Sequence, residues 1–179
     1  MQIVTAIPED ARAVARIHVT AWQEAYKSIL SADYLAGLSV DKRESYWSEV
    51  IPKGSPVLSV AKVGDSVLGW VAFGKCRDAD APSVAGEIWA IYVAPDWWSK
   101  GVGKALWLQA RQKLAADGYR TVSLWVLVNN ARAIDFYKKA GFIAEPGSAK
   151  EFELGGQTLK EVRYVANLVD FGEIDKCAG

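Results

Sequence analysis

The spacing of apolar residues predicts two helices in the first fifty residues of the chain. Between residues 11 and 25 the apolar residues recur at intervals of three and four, which is the period of one helix face. Pro8 suits the first turn of this helix, because a first turn leaves its N–H groups unpaired and proline has none. A second helical pattern covers about 41–50, and the intervening segment Ser31–Gly37 is predicted to be a loop.

Strand patterns open the chain and alternate with helices over its remaining length. Short runs rich in apolar and β-branched residues predict strands, and helical periods that end at Gly118 and Gly141 predict helices. The predicted strands cover 2–6, 57–63, 66–74, 87–94, 121–128, 150–154 and 158–168, and these two helices cover 104–117 and 132–140. A strand–helix–strand–helix centre flanked by hairpins implies an α/β (α+β) fold with a mixed sheet.

Length and composition predict a single globular domain over residues 1–179. Apolar residues make up 51% of the chain and charged residues 23%, without repeats or low-complexity segments. No apolar run approaches the roughly 20 residues that a membrane helix needs, and the chain does not begin with a signal-sequence pattern. Cys76 and Cys177 lie far apart, without the spacing of metal ligands. We therefore expect a cytoplasmic protein that contacts no membrane and holds no metal.

Charge is unevenly distributed although the formal net charge is zero. Residues 98–150 carry nine Lys and Arg residues against three Asp and Glu residues, whereas the segments on either side are net negative. A positive block of this kind favours a small polyanionic ligand. Nucleic acid is not expected as a partner, because the chain lacks basic stripes interleaved with aromatic residues.

The positive block begins at a glycine loop between a predicted strand and a predicted helix. Residues 99–104 read Ser-Lys-Gly-Val-Gly-Lys. Glycine allows the backbone to approach a ligand closely, and the first turn of a helix adds unpaired N–H groups and a partial positive charge. Lys100 and Lys104 add full charges. The loop therefore predicts a phosphate-bearing ligand.

Two common nucleotide-binding motifs do not fit this loop. A P-loop needs glycine where Trp98 stands and serine or threonine where Ala105 stands. A dinucleotide-binding fingerprint needs a third glycine after Gly101 and Gly103, and the chain has none there. Nucleotide hydrolysis and dinucleotide binding are therefore disfavoured.

The glycine loop and a second block together resemble the GCN5-related N-acetyltransferase family. The second block, residues 130–142, reads Asn-Ala-Arg-Ala-Ile-Asp-Phe-Tyr-Lys-Lys-Ala-Gly-Phe, which matches the family pattern Asn-x-x-Ala-x-x-Phe-Tyr followed by Gly-Phe. The resemblance implies a mixed, mostly antiparallel sheet of about six to seven strands flanked by about four helices. It also implies that acetyl-CoA is the co-substrate, that a primary amine receives the acetyl group, and that no metal takes part.

The resemblance further implies which residues contact acetyl-CoA. Strand 87–94 is expected to separate from its neighbour, so that free backbone N–H groups bind the pantetheine arm and the thioester carbonyl. The implied contacts are Ile91, Tyr92, Val93, Trp98, Ser99, Lys100, Gly101, Val102, Gly103, Lys104, Asn130 and Tyr137. Trp98 departs from the family, which usually has Arg or Gln at this position. We expect Lys100 or Lys104 to replace the missing side-chain contact, and Asn130 also to cap the helix at 132–140.

Tyr137 and Glu87 are the candidate catalytic residues. By resemblance, Tyr137 lies near the coenzyme sulfur and protonates the departing thiolate; the alternative is an aromatic ring that packs beside Phe136. Glu87 opens an apolar strand, where partial desolvation suits a carboxylate to accept the amine's proton through water. The alternative for Glu87 is an exposed residue at a strand end.

The amine acceptor is expected to contact aromatic residues near the N-terminus. Trp22, Tyr26 and Tyr34 lie in the helix and loop that cover the acceptor site in the family. His18, the single histidine, is interpreted as a packed side chain rather than a catalyst.

The favoured function is acetyl transfer from acetyl-CoA to a primary amine of a small molecule or amino acid, by direct attack in a ternary complex. The alternatives are a non-catalytic acyl-CoA-binding sensor and an enzyme that acetylates proteins or peptides. The last strand and exposed aromatic residues also offer a surface through which two copies of the chain can associate, so both a homodimer and a monomer stay open as oligomeric states.

Overall fold

The structure, a computed structural model, describes residues 1–168, and Cys177 lies outside them. The strands are β1 (Gln2–Thr5), β2 (Val57–Val63), β3 (Ser66–Lys75), β4 (Ala85–Val93), β5 (Thr121–Leu127), β6 (Ile143–Ala144), β7 (Lys150–Leu154) and β8 (Gln157–Asn167). The α-helices are α1 (Ala11–Ala25), α2 (Ala32–Ala36), α3 (Val40–Val50), α4 (Val102–Ala116) and α5 (Ala131–Lys139). Short 3₁₀ helices cover Pro8–Asp10, Ile51–Lys53 and Pro95–Trp97.

The strands form one mixed sheet, which confirms the predicted fold class. Their order is β1-β2-β3-β4-β5-β8-β6, with β7 also paired to β8. The neighbours are antiparallel except β4 and β5, which run parallel. The described residues contain one strand more than the expected six to seven, because the two-residue strand β6 also joins the sheet.

One predicted loop is helical. Ala32–Ala36 forms α2, inside the segment Ser31–Gly37 that was predicted to be a loop. The helix is nucleated locally, because Ser31 Oγ accepts a hydrogen bond from the backbone N–H of Tyr34 at 3.2 Å. A single turn has no repeated apolar face, so periodicity alone does not reveal it.

Helices cover both faces of the sheet, with one hydrophobic core on each face and a third, smaller cluster around Leu30, Leu35 and Leu159. On one face α4 contributes Leu106, Ala110 and Leu114, all fully buried against strand side chains. On the other face α1 and α3 pack around Trp70 of β3, which is fully buried. The indole N–H of Trp70 donates to the carbonyl of Val14 at 3.1 Å, so its polar atom is satisfied inside the core. Helices therefore pack against both faces of the sheet at its centre.

Candidate active site

A cleft opens where the two central strands separate. β4 and β5 pair only along Ala85–Glu87 and Thr121–Ser123. Beyond these residues both strands continue unpaired to each other, and a cleft of about 750 Å³ lies between them. Residues of α1, α4, α5 and the β7–β8 hairpin complete its walls. The expected separation of the strand from its neighbour is confirmed.

β4 presents backbone groups to this cleft. Trp89 is an extra residue in the pairing with β3, because Ala90 pairs with Ala72 whereas Ile88 pairs with Phe73. A bulge of this kind bends a strand and changes where its residues point. Past the bulge, Ile91–Val93 remain paired to β3 on one edge and line the cleft on the other. Since hydrogen-bonding groups alternate along a strand, those not used by β3 face the cleft.

The glycine loop delivers the N-terminus of α4 to the same cleft. Ser99 and Gly101 have left-handed backbones, with φ of 60° and 84°, so the chain turns sharply into the helix. No side chain caps α4, and its first turn holds no acidic residue. The first N–H groups of a helix have no intrahelical partner, so they are available to a ligand here. Ser99, Gly101, Gly103 and Lys104 line the cleft, whereas Val102 is buried in the core.

The ring of Trp98 contacts a cationic side chain, a contact that no sequence pattern predicted. Its indole N–H donates to the carbonyl of Val93 at 2.7 Å, which fixes the ring at the end of β4. The guanidinium of Arg132, from α5, lies 3.6 Å from the ring centroid. Both side chains line the cleft. Lys100 does not line it, and its ammonium lies 5.1 Å from the ring of Trp97.

Tyr137 lies on α5 and lines the cleft. Its ring is half-buried and meets those of Phe136 and Phe142 edge-on, at centroid distances of 5.3 and 5.7 Å. Burial, with a smaller contribution from Tyr26, raises the pKa of Tyr137. The hydroxyl therefore keeps its proton at neutral pH and can donate it. Asn130 also lines the cleft and caps α5, since its Oδ1 accepts from the N–H of Ala133 at 3.2 Å.

Glu87 is fully buried and paired with Arg77. One carboxylate oxygen accepts from the backbone N–H of Arg77 at 2.9 Å and from its Nε at 3.0 Å. The other oxygen accepts from the guanidinium Nη2. Glu87 is not among the residues that line the cleft, although Ile88, which follows it, is. Proton transfer from the cleft to Glu87 therefore requires at least one intervening water.

The predicted acceptor residues separate into two groups. Trp22 and Tyr26 line the cleft, and their rings meet edge-on at 5.0 Å. Burial raises the pKa of Tyr26, while hydrogen bonding to Tyr92 and Asn130 acts in the opposite direction. Tyr34 does not line the cleft, because its ring packs against Gly155 in the β7–β8 turn.

His18 lies behind the cleft, as its interpretation as a packed side chain predicted. It is 8% exposed and stacks on Tyr92 at 5.1 Å, with Trp22, Trp47 and Trp70 around it. Burial, and next the charge of Arg43, lowers the pKa of His18 to about 3. The ring is therefore neutral at physiological pH and supports the wall that Tyr92 forms.

Trp125, Glu161 and Arg132 are among the residues that line the cleft and that sequence patterns missed. Trp125 and Glu161 lie on the face of β5 and β8 opposite the α4 core, and Arg132 lies on α5. Trp125 falls within the predicted strand 121–128, and no site role was predicted for Arg132 or Glu161. The family resemblance includes the block at 130–142, which contains Arg132, but it gave Arg132 no role.

Residues 15–142 match the acetyltransferase (GNAT) family. The chain belongs to this family. It is 32% identical over 154 residues to the uncharacterized N-acetyltransferase YuaI of Bacillus subtilis, covering 86% of each chain. It is 24% identical over 149 residues to a spermidine N(1)-acetyltransferase of Thermoplasma acidophilum, covering 80% of this chain and 89% of that one.

A solved GNAT structure has the same fold. The PaiA N-acetyltransferase of Thermoplasma acidophilum, crystallised in complex with coenzyme A, superposes with a TM-score of 0.74 and 19% identity. The match covers 93% of this chain and 99% of that one. The family confirms the predicted class of enzyme, an N-acetyltransferase that uses acetyl-CoA.

Residues 1–168, which the structure describes, contain neither a candidate membrane-spanning helix nor a candidate metal site. None of the helices in this range is long and apolar enough to cross a membrane. The same range contains no group of His, Cys, Asp and Glu side chains arranged to hold a metal ion.

Proposed function

We propose that this GNAT enzyme transfers the acetyl group of acetyl-CoA to a primary amine of a small molecule, by direct attack in a ternary complex. The observation that carries the proposal is the cleft between β4 and β5, which brings an uncapped helix N-terminus and Tyr137 into one space. The spermidine acetyltransferase among the relatives supports a small amine as acceptor.

The pyrophosphate of acetyl-CoA binds at the start of α4. The N–H groups of the first turn and the helix dipole stabilise its negative charge, and Lys104 adds a full positive charge. Arg132 supplies the guanidinium that the family places at position 98, because the ring of Trp98 holds it at the cleft. Backbone N–H groups of Ile91–Val93 bind the pantetheine arm and polarise the thioester carbonyl.

The transfer requires the acceptor nitrogen to lose two protons and the departing sulfur to gain one. A primary amine has a pKa near ~10.4, so it must lose a proton before its nitrogen attacks the carbonyl carbon. The tetrahedral intermediate then collapses, the carbon–sulfur bond breaks, and the thiolate takes the proton of the Tyr137 hydroxyl. Water transfers the first amine proton to Glu87, which later releases it to solvent. The nitrogen loses its second proton as the intermediate collapses, and this proton returns through water to Tyr137, so the products are a neutral amide and free coenzyme A. No side chain is acetylated on this path, and Cys76 is buried outside the cleft.

Aromatic and apolar side chains form the acceptor side of the cleft. Trp22 of α1 and Tyr26, the residue after α1, belong to the same apolar cluster as Phe152 and Leu154 of β7, and all four line the cleft. Such walls exclude water from the reacting amine, which favours its neutral form. Tyr34 is not part of this proposal, because it packs outside the cleft.

Release of free thiol from acetyl-CoA tests the proposal. The purified chain is mixed with acetyl-CoA and a panel of alkyl amines, amino acids and peptides, and thiol is measured with a chromogenic disulfide. We expect amine-dependent release with a small amine and formation of its N-acetyl product. If coenzyme A binds but no amine causes thiol release above background, the result would favour the non-catalytic acyl-CoA-binding sensor. Release with peptides alone would indicate a peptide acetyltransferase.

A further inference from the structure

Three side chains meet at the end of the cleft where β5, β7 and β8 adjoin. Glu161 of β8 is directly opposite Leu127 of β5 on one side and Lys150 of β7 on the other. Trp125 lies two residues before Leu127, so its ring shares their face of the sheet. Trp125 and Glu161 line the cleft, whereas Lys150 is not among the lining residues.

An alkyl ammonium group already occupies the space between the ring and the carboxylate. Lys150 Nζ lies 3.4 Å from the ring centroid of Trp125 and 3.3 Å from Glu161 Oε1. An aromatic face combined with a carboxylate is a good environment for an alkyl ammonium, because both attract its charge. The side chain of Lys150 is 49% exposed and that of Glu161 only 20%. Lys150 can therefore swing into solvent while Glu161 stays in place.

The surrounding charges leave Glu161 without another cationic partner among the described residues. Arg163, whose guanidinium lies 5.6 Å from the ring of Trp125, is ion-paired with Asp78, Asp80 and Glu145. Trp125 itself donates its indole N–H to Asp78 at 3.1 Å. Carboxylates thus outnumber cations at this end, which favours the approach of a cationic molecule.

Glu161 shares the cleft with Tyr137, the proposed catalytic acid. Its charge contributes to raising the pKa of Tyr26, after burial, and Tyr26 in turn contributes to raising the pKa of Tyr137. Glu161, Tyr26 and Tyr137 all line this one cleft. A molecule that contacts Glu161 at one end can reach the thioester at the other.

We propose that Trp125 and Glu161 bind a second ammonium group of the acceptor, which displaces Lys150 from the position that it holds here. The inference rests on the proposed function and narrows its substrate class to diamines and longer polyamines. The bound ammonium is not the reacting one, because a carboxylate and an aromatic face stabilise the charged form whereas attack needs a neutral amine. An amino acid is a poor acceptor, since its carboxylate would approach Glu161.

Three small acceptors of similar length test the substrate class. Putrescine carries a second ammonium, butylamine carries none, and γ-aminobutyrate carries a carboxylate in its place. We expect putrescine to have a KM at least about tenfold below that of butylamine. A roughly tenfold ratio is the affinity gain expected from a partly desolvated ammonium in contact with an aromatic face and a carboxylate. γ-Aminobutyrate should be the poorest of the three. Equal KM values for putrescine and butylamine would overturn the proposal.

Two substitutions should move the KM for putrescine in opposite directions. Glu161→Gln should raise it about tenfold, with kcat changed less than threefold and the KM for butylamine unchanged. Lys150→Met should lower it, because the competing ammonium is gone, and should have no effect when Glu161→Gln is already present. Lys160→Met is the matched control, because Lys160 is an exposed lysine of the same hairpin, on β8 directly opposite Glu151 of β7.

The outcomes separate this inference from the proposed function. If Glu161→Gln raises KM equally for putrescine and butylamine, or if Lys150→Met raises the KM for putrescine, the ammonium site is wrong although acetyl transfer stands. If no amine releases thiol while coenzyme A binds, the proposed function fails and the ammonium site fails with it. Thermal unfolding of each variant shows whether the fold is retained.

Discussion

Replacing Arg132 with glutamine removes the guanidinium that lies 3.6 Å from the ring of Trp98. The proposed function gives this guanidinium the contact with the coenzyme A pyrophosphate that the family obtains from position 98. The substitution keeps a polar side chain of moderate length on α5, so the helix is preserved. We expect weaker coenzyme A binding with little change in stability.

The expected loss is modest because Arg132 is exposed. A hydrogen bond to a charged group is worth about 1.5–3 kcal/mol, and solvent screening reduces that value at an exposed position. A loss of about 1 kcal/mol corresponds to a roughly fivefold increase in Kd. Because the contact is between charges, the difference from the unmodified chain should shrink as ionic strength rises.

Isothermal titration with coenzyme A at two salt concentrations measures this effect. Lys138→Gln is the matched control, because Lys138 is exposed on the same helix, carries the same charge and does not line the cleft. Arg132→Lys should recover part of the affinity, since lysine keeps the charge without the planar stacking of arginine. An unchanged Kd for Arg132→Gln, or the same increase for Lys138→Gln, would refute the reasoning.

Three further substitutions test the remaining roles. Tyr137→Phe should lower kcat by about 10²-fold, the usual contribution of a general acid, and leave the Kd for coenzyme A within about twofold. Equal losses of kcat and of coenzyme A affinity would remove Tyr137 as the acid. Glu87→Gln should lower kcat by about 10²-fold if water transfers the amine's proton to it, whereas a loss of stability alone would reduce Glu87 to the partner of Arg77. His18→Phe should flatten the decline in stability below pH 6.5, measured by urea unfolding. Because the pKa of His18 is lowered in the folded chain, the unfolded chain binds the extra proton, and stability present above pH 6.5 is lost as pH falls toward 3, by up to about tenfold in the unfolding constant per pH unit. An identical decline in the variant would contradict this.

Local signals in the sequence predicted most of the fold. The helices that end at Gly118 and Gly141 were recognisable because both glycines take a left-handed backbone, with φ of 88° and 91°. The hairpin before the central strand was recognisable from the Gly64-Asp65 turn. α2 and β6 were missed because one helical turn and a two-residue strand are too short to show a period.

The site was only partly predictable, because several of its contacts depend on distant segments meeting. The glycine loop and Tyr137 lie in recognisable blocks, and both line the cleft. Arg132 of α5 meets Trp98, which lies between β4 and α4, only in the folded chain. Glu161 meets Trp125 only through the pairing of β8 with β5, which no local pattern encodes. The partner of Glu87 was hidden for the same reason.

A crystal structure of the chain with coenzyme A bound tests the central claim most directly. We expect the pyrophosphate to accept hydrogen bonds from N–H groups of the first turn of α4, and the pantetheine arm to run along Ile91–Val93 between β4 and β5. The thiol should lie within hydrogen-bond distance of the Tyr137 hydroxyl. Coenzyme A bound elsewhere, or a thiol that points away from Tyr137, would contradict the account.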